Sequence, residues 1–151
     1  MNEQEANITQ THPQIGAKLF TEGFLNPYYY KTPSEPSVTI NSKVIITVLK
    51  DRMFNTKDLK LNSDATFMLF CDGENTGKIE ITDSLELNNH KIVLDLNPLA
   101  ISTSERYEDV FYAPGLHNVL NNFEVKVNGE MSDYSIEAGS SEDFLSIVNK
   151  I

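Results

Sequence analysis

The sequence predicts an all-β protein: an antiparallel β-sandwich of about seven to nine strands, with an extended N-terminal arm and a short C-terminal helix. Short runs in which apolar, mostly β-branched residues alternate with polar ones recur from Val38 onward. Clusters of Asn, Asp, Gly and Ser separate these runs. The pattern lacks the helical segments that a parallel α/β sheet needs between its strands. An incomplete barrel is the alternative architecture.

Residues 1–36 are predicted to form an N-terminal arm and a connector. Residues 1–14 contain only Ala6 and Ile8 as apolar or small anchors, which is too little to order the segment through its own contacts. Residues 15–25 are more apolar, and either a short helix or a strap across the body fits their pattern. Three prolines then predict an irregular connector over residues 26–36.

Three consecutive tyrosines, residues 28–30, lie within this connector. Successive side chains of an extended segment point to opposite faces, so the three rings cannot all enter one core. Tyrosine has a large apolar ring with a polar tip and suits protein interfaces. The residues predicted to contact a protein partner are Ile8, Ile15, Phe20, Phe24, Tyr28, Tyr29 and Tyr30.

Residues 37–139 are predicted to form the sandwich itself. The run at residues 65–71 is apolar enough for a buried strand, and the turn-rich segment CDGENTG follows it. Asn128-Gly129 predicts a two-residue hairpin, because a type I′ turn requires positive φ at both central positions. The apolar positions of the other predicted strands are Val38, Ile40, Val44, Ile46, Val48, Leu59, Leu61, Ile79, Ile81, Leu85, Leu87, Ile92, Leu94, Leu96, Val110, Tyr112, Phe123, Val125 and Val127, followed after the hairpin by Met131, Tyr134 and Ile136.

Residues 140–151 are predicted to form the C-terminal helix. Ser140 is a suitable N-cap, and Asp143 follows it at the spacing of a capping box. The apolar residues that would share one face of this helix are Phe144, Leu145, Val148 and Ile151.

Composition excludes several classes of function. The chain has 151 residues, 22 of them acidic and 12 basic, for a net charge of −10. Such a surface repels phosphate backbones, and the lysines are scattered, so no direct nucleic-acid binding is predicted. The N-terminus lacks the pattern of a signal peptide, and no apolar run reaches the length that spans a bilayer. We therefore expect a soluble protein made in a reducing cytoplasm.

The single cysteine, Cys71, excludes an intrachain disulfide and follows an apolar strand, which predicts a buried and unreactive thiol. The three histidines are too far apart to form a local metal motif. Asp72, Glu74 and Asn75 supply oxygen atoms close together, but their spacing is not that of a calcium loop. A solvated hairpin turn is the preferred interpretation, and neither a metal nor a cofactor is predicted.

No nucleophile elbow, phosphate loop, dinucleotide fingerprint or zinc signature is present, and the protein is not predicted to be an enzyme. The preferred hypothesis is a structural subunit of a large assembly, specifically a head or tail accessory protein of a bacteriophage virion assembled in the host cytoplasm. Its partners would be copies of itself or other structural proteins. The alternative is a carbohydrate-binding module that uses the loops at residues 72–75 and 114–118. A hydrolase with paired carboxylates is the weaker alternative.

Overall fold

The computed structural model describes residues 8–10, 37–99 and 104–149. These residues form twelve strands and two single 3-10 turns, Leu116–Asn118 and Leu120–Asn122. The strands are β1 (Ile8–Gln10), β2 (Ser37–Ile40), β3 (Val44–Val48), β4 (Met53–Leu61), β5 (Ala65–Cys71), β6 (Lys78–Glu86), β7 (Ile92–Pro98), β8 (Arg106–Tyr112), β9 (Phe123–Val127), β10 (Glu130–Met131), β11 (Tyr134–Ala138) and β12 (Phe144–Asn149).

The chain alternates between two sheets from one strand to the next. One sheet has seven strands in the order β1-β2-β4-β6-β8-β12-β11, and the other has five in the order β10-β9-β7-β5-β3. From β2 to β9, strands that are neighbours in a sheet run parallel to each other. Each successive pair of strands, β2 with β3 through β8 with β9, is therefore one coil of a two-sheeted parallel β-solenoid.

The predicted antiparallel sandwich is therefore wrong. Among the described strands, antiparallel pairs form where the solenoid begins and ends, between β1 and β2, between β9 and β10, and among β8, β12 and β11. The prediction assumed that parallel neighbours need helices as crossover connections. Here the strand in the opposite sheet is the crossover, so the parallel arrangement requires no helix.

The predicted C-terminal helix is also wrong, because Phe144–Asn149 is strand β12. β12 lies between β8 and β11, so both of its edges are hydrogen-bonded, and Leu145 and Ile147 enter the core with 0% exposure. The predicted capping residue Ser140 instead donates from its main-chain N and its Oγ to the carboxylate of Asp109. Pairing on both sides and burial outweigh a local capping pattern.

Other sequence predictions are confirmed. Asn128 and Gly129 have φ of 51° and 79°, and Glu130 pairs with Val127 across the expected tight hairpin. The alternation in β3 points Val44, Ile46 and Val48 into the core. Most of the other core residues also lie on strands, and the described chain is mostly β, as predicted, although the pairing differs.

The core lies between the two sheets and contains a chain of ring contacts. Phe54 and Phe111 come from the seven-stranded sheet, and Phe67 from the five-stranded sheet contacts both, with ring centroids 5.4 and 6.0 Å apart. Phe111 also meets Phe123 of the five-stranded sheet at 5.0 Å. Cys71 is fully buried, as predicted, and this burial raises the pKa of its thiol.

The corners that lead from the seven-stranded to the five-stranded sheet repeat a short motif. Asn41, Asn62 and Asn88 each follow an Ile or a Leu, at successive corners of the solenoid. Asn62 Nδ2 donates to Asn41 Oδ1 at 3.1 Å, and Asn88 Nδ2 donates to the carbonyl of Leu61 at 2.9 Å. Neighbouring corners are thus linked by amide hydrogen bonds, coil to coil.

Candidate functional site

The outer face of the five-stranded sheet presents side chains in straight rows. Parallel strands in register place equivalent residues side by side, and alternate residues along each strand point away from the core. One row contains Ile45, Thr66, Val93 and Glu124, and the next contains Thr47, Met68, Asp95 and Lys126.

This outer face carries several apolar side chains. Ile45, Met68, Phe70 and Val93 are half-buried on it, and Leu49, immediately after β3, is 40% exposed. Together these side chains form a patch that crosses three adjacent strands. Contiguous apolar patches on a sheet face are typical of surfaces that contact another macromolecule.

A shallow concavity of about 570 Å³ crosses this outer face. Residues of β3, β5, β7 and β9 line it, among them Ile45, Thr66, Val93 and Glu124. The concavity is therefore a groove across the face of the sheet that includes part of the apolar patch.

β3 is the last strand of its sheet. Within the described residues it pairs only with β5, so its other edge has no strand beside it. The strand, VIITV, contains neither proline nor a charged residue, and Lys43 and Lys50 flank it. A flat apolar edge of this kind is a template on which a further strand can pair.

Asp64 lines the concavity described above, and its environment favours the ionised form. Its Oδ1 accepts a hydrogen bond from the main-chain N of Lys91 at 2.8 Å and lies 3.3 Å from His90 Nδ1. The Lys91 hydrogen bond is the main cause of a lowered pKa, and Lys43 contributes its positive charge. Asp64 is thus a fixed negative charge between two lysines of neighbouring coils.

The other carboxylates with shifted pKa values have the same direction of shift. In the described part of the chain the pKa is lowered at Asp58, Asp64, Asp72 and Glu108, in each case with a hydrogen bond as the main cause. A carboxylic acid that protonates a glycosidic oxygen needs a raised pKa. These four lowered pKa values give no support to the hydrolase hypothesis.

The loop that follows β5 is held by its own contacts. Asp72 Oδ1 accepts from the main-chain N of Glu74 at 2.8 Å and of Asn75 at 2.7 Å, and Oδ2 accepts from Lys50 Nζ at 2.8 Å. The Lys50 hydrogen bond is the main cause of the strongly lowered pKa of Asp72. These contacts occupy both carboxylate oxygens, and no group of three metal-binding side chains occurs in residues 37–99 and 104–149.

The two loops of the carbohydrate hypothesis lie at opposite ends of the strands. Tyr107, near the start of β8, donates from its hydroxyl to the carbonyl of Asp72 at 2.6 Å, which places the loop at residues 72–75 there. The loop at residues 114–118 follows the end of β8. At about 3.3 Å per residue the two loops are roughly 20 Å apart. They cannot form one small binding site.

Most residues predicted to contact a partner lie outside the described residues. Only Ile8 is included, and the backbone of β1 pairs there with β2, opposite Ile40. Ile15, Phe20, Phe24, Tyr28, Tyr29 and Tyr30 are not covered, and neither is His12. The arm interface stays a prediction. His90 and His117 lie at separate corners, beside Asp64 and Asp143 respectively.

Two strand sequences contain apolar residues at outward positions as well as inward ones. The prediction from alternation considered only the inward residues and so missed the apolar outer face. In VIITV and TFMLF the outward positions are also apolar, namely Ile45, Met68 and Phe70. Strands that are apolar on both faces are typical of parallel sheets covered on both sides. Apolar residues at both the inward and the outward positions of a strand, rather than simple alternation, could have indicated this surface.

The sequence matches no protein-family model, and the chain is similar to none of the curated proteins or solved structures with which it was compared. Among the described residues, no helix has the length and apolar character needed to cross a membrane.

Proposed function

We propose that the protein is a non-enzymatic structural subunit that is joined to neighbouring protein chains through its first coil. The joining surface is the free edge of β3 together with the outward side chains Ile45, Leu49, Met68, Phe70 and Val93, which we call the β3 surface. The observation that supports this proposal most directly is the uncharged β3 edge, which pairs on one side only within the described chain.

Two kinds of interaction favour assembly at the β3 surface. A strand added beside β3 would form main-chain hydrogen bonds, each worth about 0.5–1.5 kcal/mol net. The adjoining apolar side chains would be removed from water on contact, at about 25 cal/mol per Å² of apolar area. The edge gives direction to the contact, and burial of the patch adds to its free energy.

The specific form of this proposal is an accessory protein of a bacteriophage head or tail, located in the virion and assembled in the host cytoplasm. It rests on the acidic, cysteine-poor composition and the polar arm, together with the β3 surface. Mass spectrometry of purified virions tests it: the chain should be present in stoichiometric amounts after extensive washing. Its absence from the particles would contradict a virion role.

The assembly proposal is tested by measuring the mass of the full-length protein in solution by light scattering across a range of concentrations. We expect the wild-type chain to exceed its 17.0 kDa protomer mass as concentration rises. Ile45→Lys, which places a charge on the edge strand, should restore the protomer mass. Val148→Lys is the matched control, because Val148 is a half-buried, β-branched residue of the other sheet.

A wild-type chain that stays at its protomer mass at every concentration would contradict assembly of copies through this surface. So would association that Ile45→Lys and Val148→Lys weaken equally, because a general increase in positive charge would then account for the effect.

A further inference from the structure

The two sheets end differently at the C-terminal end of the solenoid. β11 is the last strand of the seven-stranded sheet. The last strand of the five-stranded sheet is β10, which has two residues and pairs only with Lys126 and Val127 of β9. Within the described residues, the first part of β9, Phe123–Val125, therefore has no strand on its outer side.

A groove of about 450 Å³ lies between the free edges of β9 and β11. Phe123, Glu124 and Val125 of β9 all line it, as do Tyr134, Ser135 and Ile136 of β11. Consecutive residues from both strands can line one groove only if both strands meet it edge-on. β9 and β11 also contact each other, so the groove runs along the seam between the two sheet edges, and a strand that lies in it can pair with main-chain groups of β11.

The side chains in this groove favour an apolar occupant. Phe123 and Val125 form its floor with 8% and 6% exposure, and Tyr134 and Ile136 are half-buried beside them. Met131 lies at its mouth and is 75% exposed, the most exposed large apolar side chain of the described residues. Ser135 Oγ is buried with no hydrogen-bond partner in the described structure, although buried hydroxyls are usually paired.

The charges around the groove favour a basic occupant. Glu124 lines the groove, and Glu130 and Asp133 are exposed on either side of Met131. None of the three forms an ion pair within the described part of the chain, and Lys126 lies opposite Met131 on β9. In a protein of net charge −10, three carboxylates against this one lysine around an apolar groove attract a cationic partner.

We propose that this groove binds an extended segment of another protein, in which apolar residues alternate with polar ones and lysine or arginine flanks them. The segment adds as a strand to the free edge of β11, and its apolar side chains cover Phe123, Val125 and Ile136. Its basic residues lie against Glu124, Glu130 and Asp133. This surface is at the opposite end of the solenoid from the β3 surface and does not depend on it.

The probe is a fluorescein-labelled peptide of alternating valine and threonine with two lysines at each end, titrated with the full-length protein and followed by fluorescence anisotropy. Two peptides serve as comparisons. One has glutamates in place of the lysines, and the other has a central proline, which removes a main-chain donor and interrupts strand pairing.

The matched protein variants are Met131→Lys and Leu99→Lys. Both replace an exposed large apolar residue, with exposures of 75% and 59%, so neither should disturb folding. Only Met131 lies at the groove. Amide hydrogen exchange with and without the lysine peptide shows where it binds, and we expect added protection in Tyr134–Ala138.

We expect the lysine peptide to bind about tenfold more tightly than the glutamate peptide, and the difference to shrink as salt is raised. Met131→Lys should weaken binding by about the same factor, whereas Leu99→Lys should leave it unchanged. Absence of binding, equal binding of the proline peptide, or binding that Met131→Lys does not affect would each overturn the proposal. Protection confined to strands other than β9 and β11 would also overturn it.

Discussion

Replacement of Gly77 by alanine tests the stacking of the coils. Gly77 lies at the corner between β5 and β6, and its main-chain N donates to the carbonyl of Phe70 at 3.0 Å. A Cβ atom at this position would be 2.5 Å from the main-chain oxygen of Val48 and 2.8 Å from Val48 Cγ1. Val48 ends β3, in the first coil, so this contact exists only if that coil is stacked against the corner.

The size of the effect follows from these distances. Carbon and oxygen atoms in contact are ordinarily separated by more than 3 Å, and the main-chain oxygen of Val48 cannot rotate away as a side chain would. Relief requires the corner or β3 to shift, and overpacking of this kind costs about 1–3 kcal/mol. A loss of about 2 kcal/mol would lower the urea midpoint by roughly 1 M for a domain of this size.

Urea unfolding followed by circular dichroism measures the effect, with Gly129→Ala as a comparison. Gly129 has φ of +79° and no atom within 4 Å of the added Cβ, so its replacement should cost only the backbone strain, about 1 kcal/mol. We expect the Gly77→Ala midpoint to be the lower of the two. A Gly77→Ala protein as stable as wild type would refute the coil packing.

Three further predictions concern other parts of the molecule. Hydrogen bonds from Ser37 and then Ser84 lower the pKa of Asp58 below its usual 3.8. The stability that they supply is present above that value and is lost as the pH falls through the folded-state pKa. Asp58→Asn should therefore lower the free energy of unfolding by about 1 kcal/mol at neutral pH, and this free energy should then fall less steeply as the pH is lowered, as measured by urea unfolding at several pH values. An unchanged pH dependence would contradict this. The thiol of Cys71 should react with Ellman's reagent only after denaturant unfolds the chain, whereas reaction in the native protein would contradict its burial. Cysteines introduced at Ile45 and Thr66, which are directly paired, should form a disulfide on mild oxidation, measured as loss of two thiols, whereas cysteines at Ile45 and Met68 should not; the reverse result would show a different register.

The features of the fold that could be predicted from sequence are those that depend on residues close together in the chain. The Asn128-Gly129 hairpin was predictable because two adjacent residues supply both positive φ angles. Burial of Val44, Ile46 and Val48 was predictable because alternation assigns each residue to a face. Both features depend on residues that are close together in the chain.

The C-terminal strand was not predictable by the same reasoning. Ser140 and Asp143 carry the local pattern of a helix start, but in the structure their side chains bind Asp109 and the main-chain N of Gly115. Those partners are about 30 residues away in the chain, at 31 and 28 positions. A local pattern cannot show that such distant groups will compete for the same side chains.

The corners that contain Asn41, Asn62 and Asn88 were predictable in part. Asn41, Asn62 and Asn88 share a local sequence context, so a search for the short motif could have found them. The first two are 21 residues apart, and the next coil is longer. A search for a fixed period therefore finds no repeat, although the coils are structurally equivalent. The surfaces at β3 and at the C-terminal groove could not be predicted for a related reason. A sheet edge can be identified only when the neighbours of each strand are known.

The sequence by itself determined that the chain forms strands, which side chains point inward, and where one tight hairpin forms. These features follow from side-chain period and turn chemistry within a few residues. The tertiary structure alone decided which strands are neighbours and in which direction they run. Main-chain hydrogen bonds are nearly the same for every residue type except proline, so they do not select the partner of a strand; packing between the sheets, such as that of Phe54, Phe67, Phe111 and Phe123, and the length of each corner contribute that choice.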